Sequence, residues 1–352
     1  MSGVLRLARP ELLALAPYAP ARWDPALVRL HANENPWRPA SDGSHAGLNR
    51  YPEPQPSVLF GRLSSLYAVA PEQVLVGRGS DEGIDLLVRA FCAAGASEVV
   101  VCPPTFAMYR FAAEVQGAKV VEVPLRPDDF SLDAGAVLDA CGPSTRLVFL
   151  CSPNNPTGNA LDPGAIETVI TGLRDRALVV VDEAYAEFSS QPSVAAWLER
   201  FDNLAILRTL SKAHGLAGAR CGAVLAGAEV IGLLRRLIPP YAVTVQTIEA
   251  VVDATEPDRL AAAGRQVALL LEERERVRER LAALPCIARV WPSDSNFLLV
   301  SSPRAGDVLD AGIAAGLLVR DVRGYPGLSD CLRITVGTPA ENDRLLAALE
   351  AA

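Results

Sequence analysis

Four groups of polar residues follow short apolar runs of the sequence, and their types suit covalent and acid–base chemistry. They are Gly79 to Glu82 after "QVLVGR", Asn154 with Asn155 after "LVFLCSP", Asp182 to Tyr185 after "ALVVV", and Ser211 with Lys212 after "LAILRTL". In an open α/β sheet, ligands bind outside the carboxyl ends of the strands, so four strand ends can surround one ligand. The set suits a flat, anionic, electrophilic molecule.

Lys212 and Asp182 have the clearest chemical use. An amine in a dry pocket beside cationic groups has a lowered pKa, so it can add to an aldehyde and later move a proton between carbons. Asp182 follows five apolar residues, where its carboxylate needs a partner such as a protonated pyridine nitrogen. Asn155 and Tyr185 would then donate hydrogen bonds to an oxygen on that ring.

An anion site is predicted at the start of the helix that begins in "GRGSDEG". Free backbone N–H groups at that turn suit a phosphate, Arg220 can pair with a dianion, and Ser211 and Thr209 add hydroxyl donors. The glycine spacing misses the dinucleotide fingerprint by one residue, which disfavours a nicotinamide cofactor. Together these residues describe pyridoxal 5'-phosphate bound as an imine to Lys212. Taken singly, each also fits an ordinary role as a surface lysine, a helix cap or a structural ion pair.

The elements that position these residues are predicted from periodicity. Seven β-rich runs alternate with helical stretches from about residue 73 to 227, and several are apolar on both faces. That pattern is typical of a mostly parallel sheet covered by helices on both sides. A long helix is predicted over 258–284, with "EERERVRER" as a solvated, salt-bridged face, followed by a smaller α+β unit. We expect an α/β fold with a large domain at 45–245 and a small domain formed by 1–44, which includes an N-terminal arm, and 246–352.

Composition argues against several other classes of protein. The chain has 352 residues, a net charge of -8 and no basic run, so nucleic acid is not an expected partner. The N-terminus has no continuous apolar segment of signal or membrane-spanning length. Seven scattered cysteines without a CxxC pair indicate reduced thiols, and three unclustered histidines argue against a metal site. We expect a cytoplasmic protein that binds no membrane.

Seven motifs, in order, resemble those of the histidinol-phosphate aminotransferase family, class II members of the fold type I pyridoxal-phosphate enzymes. They are "YPEPQP", "RGSDEGIDLLVRAFC", "CPPTF", "CSPNNPTG", "VVDEAYAEF", "LAILRTLSKAHGLAGARCG" and "CLRITVG". The resemblance runs from about residue 30 to the C-terminus. It implies a homodimer with pyridoxal 5'-phosphate that converts L-histidinol phosphate and 2-oxoglutarate to imidazole-acetol phosphate and L-glutamate in histidine biosynthesis.

The resemblance also implies roles for individual residues. Lys212 resembles the Schiff-base lysine, Asp182 the partner of the ring nitrogen, and Asn155 with Tyr185 the binders of the ring hydroxyl. The phosphate is expected at Ser80, Asp81, Thr209, Ser211 and Arg220, with Tyr51 reaching it from the neighbouring subunit. Substrate anions are expected at Arg333, at Arg320 and at Tyr18, which reaches in from the neighbouring subunit, and Asn33 is expected to bind substrate. The fork of Arg333 suits both the carboxylate of glutamate and the phosphate of histidinol phosphate, so one site must accept both.

Three positions depart from the family pattern. Phe106 stands where the family has a ring-stacking tyrosine, so the stacking face is kept and the hydroxyl is lost. His31 begins the "HANENP" segment and is expected to be peripheral. His214 stands where an aromatic residue is usual, and we expect it to pack beside the site rather than act as a base.

Three other functions stay open. The same fold and cofactor suit an aromatic amino acid aminotransferase or a threonine-phosphate decarboxylase, because fold and cofactor do not fix the reaction. A non-catalytic regulator that binds pyridoxal phosphate is the remaining alternative. Only about 30 residues precede the family resemblance, and no DNA-binding helix-turn-helix fits in them.

Overall fold

The computed structural model describes residues 3–18, 22–24 and 26–351. Seven of its strands are β1 (Val74–Gly77), β2 (Glu98–Val101), β3 (Lys119–Glu122), β4 (Thr145–Cys151), β5 (Leu178–Asp182), β6 (Leu204–Thr209) and β7 (Gly222–Ala226). They form one sheet in the order β1-β7-β6-β5-β4-β2-β3. Strand β7 runs antiparallel to both of its neighbours, and the other four pairs are parallel. The predicted mostly parallel, seven-stranded sheet is thus confirmed.

The central strands are apolar on both faces because the sheet separates two cores. Along β5, Val179 and Val181 lie in one buried cluster, whereas Leu178 and Val180 lie in the other. This alternation follows from the two-residue period of a strand. Each such buried side chain contributes roughly 1.5–3 kcal/mol relative to an exposed one, so a polar substitution here would disfavour the whole sheet.

Helices cover the two faces of this sheet and flank the second one. They are α1 (Pro10–Leu13), α2 (Ser57–Tyr67), α3 (Ser80–Phe91), α4 (Met108–Val115), α5 (Ala134–Ala140), α6 (Pro163–Gly172), α7 (Ala228–Leu234), α8 (Val245–Ala254), α9 (Pro257–Ala282), α10 (Ala305–Ala314) and α11 (Pro339–Glu350). Local sequence explains where several begin. Asp162 accepts a hydrogen bond from Ala165 N ahead of Pro163, and Thr338 with Glu341 forms a capping box ahead of Pro339.

A second, smaller sheet follows the long helix α9. Its strands are β8 (Arg289–Val290), β9 (Phe297–Ser301), β10 (Arg320–Asp321) and β11 (Cys331–Thr335), in the antiparallel order β10-β11-β9-β8. Leu298 and Leu332 pack against Leu281 of α9 in a core of their own. The predicted α+β unit is confirmed, and so is the charged face of α9, where Glu273 pairs with Arg276 at 2.8 Å.

The N-terminal segment packs on the seven-stranded unit. Val4 and Leu7 are buried in the same cluster as helix α3, and Arg9 N donates to the carbonyl oxygen of Ala90 at 3.0 Å. Arg236 Nη1 donates to the carbonyl oxygen of Leu13 at 2.8 Å. The domain boundaries near residues 45 and 245 stay predictions.

Three further properties bear on the classes discussed above. All seven cysteines are buried and unpaired, which confirms their interpretation as packed thiols. No helix within the described ranges has the length and apolar character needed to cross a membrane. The same part of the chain contains no group of three or more His, Cys, Asp or Glu side chains placed to hold a metal ion.

Candidate active site

The polar groups identified in the sequence meet at one edge of the large sheet. Cys151 at the end of β4 pairs with Asp182 at the end of β5, and Asp182 pairs with Leu207 of β6. Strand β7 starts at this edge, where Gly222 pairs with both Thr209 and Gly77. A Cβ atom on Gly222 would lie 2.7 Å from the carbonyl carbon of Gly79, so glycine allows the turn before α3 to approach the strand.

A cavity of about 350 Å³ opens at this edge. Twelve of the residues expected at the site line it: Ser80, Asp81, Phe106, Asn155, Asp182, Tyr185, Thr209, Ser211, Lys212, Arg220, Arg320 and Arg333. Five lining residues were not expected: Cys151, Ala184, Ala217, Val322 and Tyr325. The small antiparallel sheet thus supplies one wall of the cavity and the large sheet the others.

Asp182 is buried at the floor of the cavity. Its Oδ1 accepts a hydrogen bond from Ala184 N at 3.0 Å, and its Oδ2 accepts one from the Tyr109 hydroxyl at 2.6 Å. Burial raises the pKa of this carboxyl to about 6, while the bonds from Tyr109 and Ala184 oppose the rise. A buried carboxylate of this kind is stabilised by a cationic partner.

Lys212 lies in the loop after β6 and extends into the cavity. Its Nζ is 5.6 Å from the centroid of the Tyr185 ring. Burial lowers the pKa of the amine, and the guanidinium groups of Arg333 and Arg220 lower it further. Lys212 faces an open cavity and is exposed in the single chain, so the dry pocket stays a prediction. The lowered pKa favours the uncharged amine, which is the nucleophilic and proton-accepting form.

An anion pocket lies at the start of α3. Gly79 precedes the helix with φ 84°, and a Cβ there would lie 2.9 Å from Arg220 Nη2. Arg220 Nη2 donates to Asp81 Oδ2 at 3.1 Å, and the Thr209 hydroxyl donates to Ser211 Oγ at 2.9 Å. Hydroxyl groups, a guanidinium and the N-terminus of a helix therefore converge on one space, as a phosphate requires.

Of the two asparagines in "CSPNNPTG", only Asn155 reaches the cavity. Asn154 is buried and fixes the loop: its Nδ2 donates to Pro104 O at 2.8 Å, and its Oδ1 accepts from Thr105 at 2.8 Å. Asn155 Oδ1 accepts a hydrogen bond from Arg333 Nη1. This bond uses the amide oxygen and leaves the Nδ2 group of Asn155 available as a donor.

Arg333 and Arg320 form a cationic wall of the cavity that Asp182 also lines. They are paired on neighbouring strands β11 and β10. The guanidinium carbon of Arg333 lies 5.1 Å from the centroid of the Phe297 ring, and its Nε is buried without a hydrogen-bond partner among the described residues. Burial lowers the pKa of Arg333, and the positive charge of Arg320 lowers it further. A bound anion would therefore relieve both the desolvation of Arg333 and its repulsion by Arg320.

Sequence reasoning missed Tyr109 and Tyr325. Tyr109 lies on α4, three residues after Phe106, and its hydroxyl donates a hydrogen bond to Asp182. Tyr325 follows β10 in a turn and lines the cavity beside Arg320. Neither residue directly follows a strand, so a search for polar residues at strand ends does not identify them.

Three expected site residues lie away from this cavity. Tyr51 and Asn33 line a separate cavity of about 430 Å³, where the Tyr51 ring stacks on Tyr241 at 4.6 Å. Tyr18 is 71% exposed. Tyr51 and Tyr18 were expected to reach the site of a neighbouring subunit, and Asn33 was not.

The two histidines that replace usual family residues take different places. His31 is exposed, and its Nε2 lies 2.9 Å from the carbonyl oxygen of Arg22. The His214 side chain is buried with Nε2 3.9 Å from Glu187 Oε1, behind the ion pair of Arg208 with Glu183. His214 does not line the cavity. Burial lowers its pKa, which favours the neutral ring.

Comparison with known proteins relates this geometry to a family. Residues 28–349 match the family described as aminotransferase class I and II. The histidinol-phosphate aminotransferase of Stenotrophomonas maltophilia (strain R551-3) is 48% identical over 356 aligned positions, covering 100% of this chain and 98% of the relative. That of Xylella fastidiosa (strain 9a5c) is 48% identical, covering 98% of this chain and 96% of the relative.

A solved structure agrees with these relatives. The histidinol-phosphate aminotransferase of Sinorhizobium meliloti, in complex with pyridoxal-5'-phosphate, superimposes with a TM-score of 0.77. It is 25% identical, and the match covers 86% of this chain and 82% of the other.

Proposed function

This chain belongs to the class I and II aminotransferases, and within them to the histidinol-phosphate aminotransferases; we propose that it transfers the amino group of L-histidinol phosphate to 2-oxoglutarate. The products are imidazole-acetol phosphate and L-glutamate, and the reaction is a step of histidine biosynthesis. The observation that carries this proposal is one cavity lined by Lys212, by the buried Asp182 and by the paired Arg320 and Arg333.

The cofactor is pyridoxal 5'-phosphate, and the donor set of the cavity fits it. Asp182 offers a buried carboxyl with no paired base among the described residues, as a protonated ring nitrogen requires. Ser80, Ser211 and Arg220 surround a space that a Cβ on Gly79 would enter, which suits a phosphate. We propose that Lys212 holds the cofactor covalently, that Asn155 and Tyr185 bind its ring oxygen, and that Phe106 packs on its ring.

When bound, this cofactor carries the amino group between substrates and withdraws the electrons left when a proton leaves the substrate's α-carbon. Asp182 keeps the ring nitrogen cationic by offering it a buried negative charge. Lys212 Nζ would accept the proton from the substrate's α-carbon and return it to the C4' carbon of the cofactor, a role that its lowered pKa favours. The same groups serve both half-reactions, with the second running in reverse.

We propose that the cationic wall of Arg333 and Arg320 binds the anionic group of each substrate. Histidinol phosphate presents a phosphate and glutamate a carboxylate, and both anions match the planar fork of an arginine. The Nε of Arg333, which is buried without a hydrogen-bond partner in the described part of the chain, supports this role. Arg320 beside it adds a second positive charge.

A half-reaction titration tests the substrate. Adding excess histidinol phosphate to the loaded enzyme without an acceptor is expected to remove its yellow absorbance. Phenylalanine and threonine phosphate, at equal concentration, are expected to act at least tenfold more slowly, because a mismatched side chain loses about 1–3 kcal/mol of transition-state binding. The measurement is stopped-flow absorbance, with carbon dioxide release followed in parallel.

Each alternative function has its own outcome in that titration. Faster bleaching by phenylalanine would make the chain an aromatic amino acid aminotransferase. Carbon dioxide released from threonine phosphate would make it a decarboxylase. If the chain binds the cofactor but converts none of the three amines, the non-catalytic regulator is the function that remains.

We propose further that the enzyme is a cytoplasmic homodimer in which Tyr51 and Tyr18 act in the neighbouring site. Two observations support this arrangement. Lys212 is exposed in the single chain, and Tyr51 lines a separate cavity rather than the active-site cavity of its own chain. A row of exposed apolar side chains runs along the same N-terminal segment and suits burial in an interface: Leu27, Val28, Leu30 and Trp37.

Hybrid dimers test the placement of Tyr51. Tyr51→Ala and Lys212→Ala chains are each expected to be poorly active alone. If Tyr51 acts on the neighbouring site, a mixed dimer contains one intact site and one site with both defects, and mixing equal amounts restores about a quarter of wild-type activity. If Tyr51 acts within its own chain, every mixed site carries one defect and mixing restores nothing. The measurement is transamination after co-refolding, with the two chains carrying different tags.

A further inference from the structure

Tyr109 is the buried neighbour of Asp182. Its side chain is completely buried, and its hydroxyl donates to Asp182 Oδ2 at 2.6 Å. The ring stacks on Phe149 at 4.7 Å with an interplanar angle of 6°, and meets the edge of Phe106 at 5.7 Å. Two aromatic contacts therefore fix the direction in which the hydroxyl points.

Asp182 is held by hydrogen bonds rather than by an ion pair. Within the described residues it has two donors, Tyr109 and the backbone of Ala184. Five other titratable or charged groups act on Asp182. They are Asp81 of α3, Cys151 of β4, Glu183 and Tyr185 in the segment after β5, and Lys212 in the loop after β6. Since burial disfavours the charged carboxylate, each donor matters to its ionisation.

We propose that Tyr109 is a positioning residue that holds the Asp182 carboxylate ionised and turned toward the cofactor's ring nitrogen. This inference rests on the proposed function, because it assumes a cationic ring in the cavity. A phenylalanine would fill the same space between Phe149 and Phe106. The hydroxyl is buried and donates to one carboxylate oxygen, so removing it alone tests the proposal.

The variant Tyr109→Phe removes that hydroxyl and little else. Tyr67→Phe is the matched control, since Tyr67 is also buried in the large unit and its hydroxyl has no hydrogen-bond partner among the described residues. In the full-length chain, pyridoxal phosphate is expected to bind Tyr109→Phe about threefold more weakly near pH 6.5 and up to about tenfold more weakly at lower pH, because less of Asp182 is ionised without the hydroxyl. The difference should shrink as pH rises and ionises Asp182 in both proteins. Tyr67→Phe is expected to bind as wild type at every pH.

A second readout needs no cofactor. In the cofactor-free chain, the raised pKa of Asp182, about 6, means that the folded state binds more protons than the unfolded state between about pH 4 and 6. Its contribution to stability therefore falls as pH rises through that window. Without the Tyr109 hydroxyl the folded pKa rises further, and the window is expected to extend upward by roughly one pH unit. Denaturant midpoints measured from pH 4 to 8 report it.

Several outcomes would overturn the proposal. Identical cofactor affinity and identical pH profiles for Tyr109→Phe and wild type would do so. A shift that persists when Asp182→Asn is also present would show that Tyr109 does not act through Asp182. If Tyr109→Phe does not fold, 3-fluorotyrosine placed at 109, a stronger donor of similar size, must shift the stability window to lower pH or the proposal fails. Failure of the wild-type chain to bind pyridoxal phosphate would instead refute the proposed function. The denaturant midpoints of the cofactor-free chain would then still test the role of Tyr109.

Discussion

Lys212→Ala is expected to lower kcat/KM for transamination about 10⁴-fold, the upper end of what a positioned acid–base group contributes. The lost group is the amine that is expected both to hold the cofactor and to move the substrate's proton. Cofactor is expected to remain bound, held by the anion pocket around Arg220 and by Asp182, but to exchange freely on dialysis. Steady-state rates and absorbance after gel filtration measure the two effects separately.

The chain offers an unusually simple control for this experiment. It contains only two lysines, Lys119 and Lys212. Lys119 lies on the edge strand β3, exposed and paired with Glu98 at 2.8 Å. Lys119→Ala is expected to keep activity within about twofold, as surface substitutions usually do. Borohydride reduction of the loaded enzyme should fix the cofactor to the Lys212 peptide, and label on Lys119 or on the N-terminus would contradict the assignment.

Much of the fold follows from patterns that the sequence displays locally. Each of the seven β-rich runs became a strand, because Val, Leu and Ile on both faces can be buried only inside a sheet covered on both sides. The long helix α9 and the final helix α11 follow from periodicity and from the cap at Thr338. The reversed direction of β7 was not predictable, because strand order and direction depend on contacts between distant segments.

The candidate site was predictable to the extent that it stands at strand ends. Asp182, Asn155 and Lys212 follow apolar runs, so one topological rule brings them to one edge. Tyr109 was missed because its helix starts well beyond a strand, and only the tertiary packing of α4 brings its hydroxyl to Asp182. The dry surroundings expected for Lys212 stay a prediction, because what covers an open cavity is not encoded in any local pattern.

Arg333 carries the second large expected effect. Arg333→Ala is expected to reduce kcat/KM at least a hundredfold for both histidinol phosphate and glutamate, because two hydrogen bonds to a charged group, each worth roughly 1.5–3 kcal/mol, are lost. The loss should appear mainly as a higher KM, since the anion is bound alike in the ground state and the transition state. Arg333→Lys keeps the charge without the fork and is expected to recover only part of the loss.

Comparing the two substrates is what makes the Arg333 experiment decisive. One site that accepts both anions predicts parallel losses in the two half-reactions, whereas separate sites predict a loss for one substrate only. Arg323→Ala is the matched control, because Arg323 follows β10, the strand beside that of Arg333, but lies outside the cavity in an exposed pair with Asp321 at 2.8 Å. That control should leave both KM values unchanged. A loss confined to histidinol phosphate would assign the glutamate carboxylate to Arg320 or to another group and would disprove the shared anion site.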